Sequence, residues 1–256
     1  MSFILRSLAV SDPGLVRANN EDVAFAGSRL VAVADGMGGA PAGEVASEIV
    51  ITALAPIEQA VDEREPVAAL AGAVRTANQR ISAVIDADPA TRGMGSTVTA
   101  MLLHGGQLAV AHIGDSRGYL LRDGVLRQLT RDDSFVQVLV DRGGLTPEEA
   151  RNHPQRSLVT RVVQGEPLDP ATVVLDVVAG DRLLLCSDGL SDVVTDDLIT
   201  LVLVGYPDRE QCAAHLVKLA HQAGAPDNVT LVVADVVPVA EEPAATEPSA
   251  NAAAAG

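Results

Sequence analysis

The sequence predicts an α+β sandwich, with antiparallel sheets in layers and helices packed on their outer faces. Three observations carry this. Two hairpin turns follow one another: His104-Gly-Gly106 separates apolar stretches 96–103 and 108–113, and Asp123-Gly124 separates 118–122 from 125–129. A two-residue Asp-Gly link is a strong hairpin signal, and consecutive hairpins exclude a doubly wound parallel sheet. Residues 108–113 are apolar on both faces except for His112, so the strand is covered on both sides. Finally, Val67, Leu70, Val74, Ala77, Ile81 and Val84 recur every three or four positions between Pro66 and Asp88-Pro89, which predicts a helix.

The remaining elements follow in order. Residues 3–36 alternate short apolar runs with turns, as strands do, and 43–60 carry Val45, Ile49 and Ala53 at helical spacing. Residues 130–168 are more polar and form an excursion, with a short helical stretch after Asp133 and a capping box at Thr146-Pro-Glu-Glu149. Strands resume at 172–177 and 181–187, helices at 196–204 and 208–223, and a last strand at 229–236. In the second of those helices Cys212, Leu216, Leu219 and Ala223 share a face. Residues 238–256 are Ala, Pro and Glu with almost no large apolar group, so the reading is one domain over 1–237 and a disordered tail over 238–256.

Composition narrows the function. The chain has 256 residues and is 48% hydrophobic but only 2% aromatic, so its core is built from Ala, Val, Leu and Ile. The net charge is -16 and Lys218 is the sole lysine, with no basic cluster to neutralise a phosphate backbone; nucleic acid is a poor candidate partner. An acidic balance suits divalent cations instead. The N-terminus lacks the basic and apolar regions of a signal peptide, and no apolar run approaches a membrane span. The two cysteines, Cys186 and Cys212, form no disulfide framework, and a reducing cytoplasm is expected.

The chemistry is carried by acids at the ends of apolar runs. Val31-Ala-Val-Ala-Asp35-Gly36 and Leu183-Leu-Leu-Cys-Ser-Asp188-Gly189 each end in Asp-Gly, and Asp227 of Pro226-Asp-Asn-Val229 opens a third run. Strand ends are where sites are built. Three acids from distant parts of the chain converge only if their repulsion is compensated, which a pair of divalent cations would do. The residues therefore read as a metal-dependent hydrolase. Asp-Gly is also a common turn, and Asp123-Gly124, flanked by matching strands, is read as only that. Gly36-Met-Gly-Gly39 and Gly93-Met-Gly95 match neither a P-loop nor a dinucleotide fingerprint.

Taken together, residues 17–22, Asp35-Gly-Met-Gly-Gly39, Gly95-Ser-Thr97, Gly114-Asp115-Ser-Arg117, Ser187-Asp188-Gly189 and Asp227-Asn228 resemble, in order, the motifs of the metal-dependent protein phosphatases of the phosphatase 2C type. The resemblance spans about residues 10 to 236 and is nearest to bacterial, particularly actinobacterial, members that oppose Ser/Thr kinases. It implies a four-layer α-β-β-α sandwich with two central antiparallel sheets, and a flap at about 130–168. It also implies Mn²⁺ or Mg²⁺ as cofactor, two ions or three. Asp35 would bridge two metals, the Gly36 carbonyl would bind one of them, and Asp188 and Asp227 the other. Asp22 and Glu21 would orient metal waters. Arg17 would clamp the substrate phosphate. Asp115, with Asp188, would form a third metal site, assisted by Ser157. The implied reaction is direct in-line attack of a metal-activated water on a phosphoserine or phosphothreonine monoester. Implied partners are phosphoproteins, including Ser/Thr kinases and their substrates, met by a monomeric cytoplasmic enzyme without nucleic acid or membrane.

Two departures stand out. Many relatives carry His after Gly-Gly, where this chain has Ala40-Pro41, and often His after the flap-entry Asp, where it has Asp132-Asp133. A metal-bound water is then left as the acid for the leaving group, with His153 the nearest histidine alternative. The missing histidines motivate a second reading: a pseudophosphatase that binds metal and phosphoprotein without turnover. A binuclear nuclease, the third, is disfavoured by the charge.

Overall fold

In the computed structural model of the chain, described over residues 2–39, 42–59 and 65–239, two antiparallel sheets stack face to face. One has the order β1 (Phe3–Asp12), β11 (Val229–Pro238), β10 (Arg182–Cys186), β7 (Arg117–Arg122), β8 (Val125–Gln128). The other has the order β2 (Asp22–Ala26), β3 (Leu30–Met37), β5 (Val98–His104), β6 (Gln107–Ile113), β9 (Ala171–Asp176), with β4 (Gly95–Ser96) paired to the end of β3. Ala40-Pro41, Ala60 at the end of the first expected helix, and the tail from 240 lie outside the described residues.

The strand period of two sorts side chains into three apolar layers. Val31, Val33, Met101, Leu103, Leu108 and Val110 of one sheet meet Leu183, Leu185, Val232, Ala234 and Val236 of the other between the sheets. The alternate residues Leu30, Ala32 and Ala34 face outward onto α1 (Ala42–Leu54) and α2 (Pro66–Ala87). Leu184, Cys186, Leu231 and Val233 face the opposite way, onto α6 (Asp196–Gly205) and α7 (Arg209–Gln222). Strands buried on both faces explain the continuous apolar runs in the sequence. The expected four-layer α-β-β-α architecture is thus present.

Local signals landed where expected. Asp123 and Gly124 have φ of 50° and 77° and join Arg122 to Val125 in register, a left-handed two-residue turn matched to strand twist. Gly105 and Gly106, at 57° and 88°, do the same between β5 and β6. In the excursion, α3 (Phe135–Asp141) is followed by α4 (Pro147–Arg151), capped by Thr146 and Glu149 as the box requires. One expected strand, 96–103, is broken at Thr97: Ser96 pairs with Gly36, while the Thr97 hydroxyl accepts from Asp35 N at 3.0 Å and Thr97 N donates to Asp35 O at 2.8 Å. The interruption grips Asp35 from both its backbone groups. Among the described residues no helix is long and apolar enough to cross a membrane.

With so few aromatics, stability rests on aliphatic packing. Leu184 is wholly buried against the outer helices, so Leu184→Ala is expected to cost about 2–5 kcal/mol. Leu201 on α6 is 68% exposed, and Leu201→Ala is expected to change stability by less than about 0.5 kcal/mol. Urea unfolding of both variants checks the contrast.

Candidate metal centre

Ends of strands from both sheets meet over one cavity of about 370 Å³. Arg17, Glu21, Asp35, Gly36, Asp115, Ser157, Asp188 and Asp227 all line it. Asp22, the remaining expected residue, sits behind the wall, buried, with Ser187 Oγ donating to its Oδ2 at 2.8 Å.

Each side chain has a structural reason for its place. Asp22 and Asp35 are opposite partners in the β2–β3 ladder, so their carboxylates lie side by side on one face. Asp115 is carried by the tight loop between β6 and β7. Asp188 is the first residue of α5 (Asp188–Ser191), directly after β10. Asp227 lies two residues before β11. Asn228 then braces the β1–β2 loop: its Oδ1 accepts from Glu21 N at 2.9 Å, and its Nδ2 donates to Pro13 O at 3.0 Å and Asn19 O at 2.8 Å. That loop presents Arg17, whose Nη2 donates to Asp227 Oδ2 at 2.6 Å. The guanidinium thus bonds an expected metal ligand, a contact the sequence reading did not include.

The Asp-Gly steps need a correction. The apolar run before Asp188 does end a strand, with the chain passing into α5, but β3 runs on past Asp35 to Met37, and neither Gly36 nor Gly189 has positive φ. Gly36 lies within β3 and Gly189 within α5. A Cβ on Gly36 would overlap the Gly43 carbonyl, and one on Gly189 the Asn228 carbonyl. These glycines let backbones close up behind the carboxylates, whereas Asp123-Gly124 is the true turn.

The electrostatics are those of crowded acids. Burial first, then Asp22, Asp188, Asp115 and Asp227, push Asp35 well above the usual carboxylate range. Asp188 is pushed up in the same way, by burial and then Asp115, Asp192, Asp227 and Asp22. Burial also raises Asp22 and Asp115, each to about 7. Asp188 Oδ1 is sealed from solvent and is the buried side-chain polar atom among the described residues that lacks a hydrogen-bond partner. Such an atom costs about 1–3 kcal/mol or more if left unpaired. An orphaned carboxylate oxygen within an all-oxygen donor set fits a hard divalent cation. Among the described residues no three His, Cys, Asp or Glu side chains form a ready cage for one ion. The acids line an open cavity instead, which suits cations that keep several waters.

Four groups important to this geometry were given no role in the sequence reading: Thr97, Ser187, Asn228 and Asp192. Asp192 lies one helical turn beyond Asp188 and acts on both Asp188 and Asp115; the Asp188/Asp192 spacing was its signal. The histidines stand apart. His112 is buried between Thr99 Oγ1 at 2.9 Å and the Arg131 carbonyl at 3.1 Å. His153 rests beside Phe135, its Nδ1 accepting from Gln155 N at 3.1 Å, and does not line the cavity. At the flap entry, Asp132 takes both Nε and Nη2 of Arg117, while Asp133 accepts from Gly114 N at 3.1 Å.

This sandwich gathers acids from both sheets at one edge, an all-oxygen set suited to hard divalent cations. A family model for protein phosphatase 2C matches residues 18–230, and the chain belongs to that family. It is 54% identical over 237 residues to the serine/threonine protein phosphatase PstP of Mycobacterium tuberculosis, covering 93% of this chain and 46% of that protein. The chain therefore spans about half the length of that relative. It is 37% identical to the protein phosphatase PhpP of Streptococcus pneumoniae, over 88% of this chain and 94% of that one. A crystal structure of the PstP catalytic domain with two manganese ions superposes with a TM-score of 0.88 at 51% identity, covering 93% of this chain and all of that one.

Gly189→Ala is expected to force Asp188 away from Asn228. Mn²⁺ affinity measured by calorimetry should fall roughly tenfold or more, while Gly205→Ala, at a position open to solvent, should leave it unchanged.

Proposed function

We propose that this chain is a Ser/Thr phosphoprotein phosphatase that uses Mn²⁺ or Mg²⁺ to hydrolyse phosphate monoesters by direct in-line attack of water. The observation that carries the reading is the convergence of Asp35, Asp188, Asp227 and Arg17 on one cavity. In this reading Asp35 and the Gly36 carbonyl would hold one ion, Asp35, Asp188 and Asp227 would hold another, and Asp115 and Ser157 with Asp188 would hold a third. When bound, such ions lower the pKa of water and offset charge on the phosphoryl oxygens.

The chain's own groups do the rest. Arg17 gives one Nη2 hydrogen bond to Asp227, and its side chain is 58% exposed, so its remaining donors are free to meet two phosphoryl oxygens. Fixing that guanidinium against Asp227 sets the phosphate in register with the acids. Asp22 acts from behind the wall, held by Ser187, and Glu21 acts from the cavity lining, its backbone N held by Asn228. Neither cysteine competes as nucleophile: both are buried, and burial pushes the Cys186 thiol up to about 12 and Cys212 up to about 11. His153 lies outside the cavity lining, so protonation of the departing alkoxide does not pass through its imidazole.

The proposal includes phosphoserine and phosphothreonine proteins as substrates, Ser/Thr kinases among them, and a monomer in the cytoplasm. Two free buried cysteines support a reducing compartment.

Hydrolysis of a phosphothreonine peptide with and without Mn²⁺ tests this. Turnover is expected only with Mn²⁺, and roughly a thousandfold lower in Asp188→Asn. Mn²⁺ binding without turnover in the wild type would replace the proposal with a non-catalytic phosphoprotein binder. His153→Gln is expected to leave the pH–rate profile in place; loss of one limb would assign proton transfer to that histidine.

A further inference from the structure

The excursion between Phe135 and Leu158 is fastened to the molecule by polar contacts. None of its residues belongs to, or packs against, the three apolar clusters. Its neck is closed by backbone hydrogen bonds, Phe135 N to Leu158 O at 2.8 Å and Thr160 N to Asp133 O at 2.7 Å. Beneath it lies a polar cavity of about 270 Å³. An ion pair between Arg131 and Asp141 stays at the neck. Two arginines cross the cavity, and both land on one short segment. Arg151, at the end of α4, donates from Nη1 to the Ser191 carbonyl at 2.8 Å and lies 3.4 Å from the Val194 carbonyl. Arg156 approaches Asp192 at 3.5 Å. That segment begins at Asp188.

We propose that Arg151 is a positioning residue that locks the excursion to the Asp188 segment and so sets how tightly a cation is held between Asp115, Asp188 and Ser157. The inference rests on the metal-site reading above. Ser157 enters the cavity from the base of the excursion, six residues beyond Arg151, and Asp188 lies three residues before Ser191. A cation shared by Ser157 and Asp188 binds only as well as these two segments keep register, and Arg151 bridges the same two segments. Its guanidinium suits the task because it can address two carbonyls at the end of a helix at once. The pair of sites built from Asp35, Gly36, Asp188 and Asp227 draws its ligands from β3, from the residue directly after β10 and Ser187, and from the residue pair before β11; none comes from the excursion, so the site that includes Ser157 is the one that needs the two tethered segments in register.

The test is calorimetric titration of Mn²⁺ into the wild type, Arg151→Ala and Arg151→Lys, with amide exchange over residues 135–151 as a second readout. The wild type is expected to bind two ions tightly and one weakly. Arg151→Ala should weaken only the weak class, roughly tenfold, and speed exchange over 135–151. Arg151→Lys should recover part of both, since an ammonium reaches one carbonyl. An unchanged weak class in Arg151→Ala, or no weak class in the wild type, would overturn the inference while two tight ions kept the metal-site reading intact. Fewer than two ions in the wild type would overturn that reading itself. Should Arg151→Ala fail to fold, Arg151→Lys decides alone: a weak class loosened by about threefold supports the inference, and one equal to wild type overturns it.

Discussion

Mutual repulsion among carboxylates is the constraint on which the rest of this structure depends. Burial, and then the charge of neighbouring carboxylates, raises the proton affinity of Asp22, Asp35, Asp115 and Asp188. Such an arrangement is unfavourable in isolation and persists only because the surrounding structure over-determines it. The over-determination is visible: Thr97 holds Asp35 by its backbone, Ser187 holds Asp22, and Asn228 ties three strand ends together. Unfavourable electrostatics at the cavity are offset by aliphatic layers that are close to fully buried.

The double sheet is suited to this work because strand ends are stiff and their positions are set by register. Asp22 faces Asp35 through the β2–β3 ladder, and Ser187 precedes Asp188 at the end of β10. Gly36 and Gly189 remove the side chains that would hold the backbones apart. Away from the cavity, Arg182 pairs with Asp235 at 2.6 Å and donates to carbonyls between α6 and α7. That partly buried pair ties the segment between the outer helices to the sheet that carries Asp188.

Much of the fold was legible because its signals are local. The hairpin at Asp123-Gly124, the helix from Pro66 and the capping box at Thr146 are each specified within a few residues. The acids were legible too, since a carboxylate ending an apolar run stands out, and the order of motifs linked them. The braces were not. Asn228 touches residues 13, 19 and 21, and Ser187 reaches Asp22 across 165 positions; nothing local marks such partners. Nothing local marks the role of Gly36 and Gly189, because close approach of two backbones leaves the same letter as a turn. The Arg17–Asp227 contact was likewise invisible, joining two groups whose roles were considered separately.

The sheet order has a consequence for how the protein comes into being. The last strand, β11, is not an edge: it lies between β1 and β10, pairing with the first strand along its whole length from Phe3 to Asp12. The residues that open it include Asp227 and Asn228. A chain emerging from the ribosome therefore cannot finish this sheet, or close the cavity, until nearly all of the described sequence has been synthesised. An N-terminal stretch of this chain that stops short of β11 therefore has neither a closed sheet nor Asp227 beside Arg17, and its acids have no assembled cavity to line.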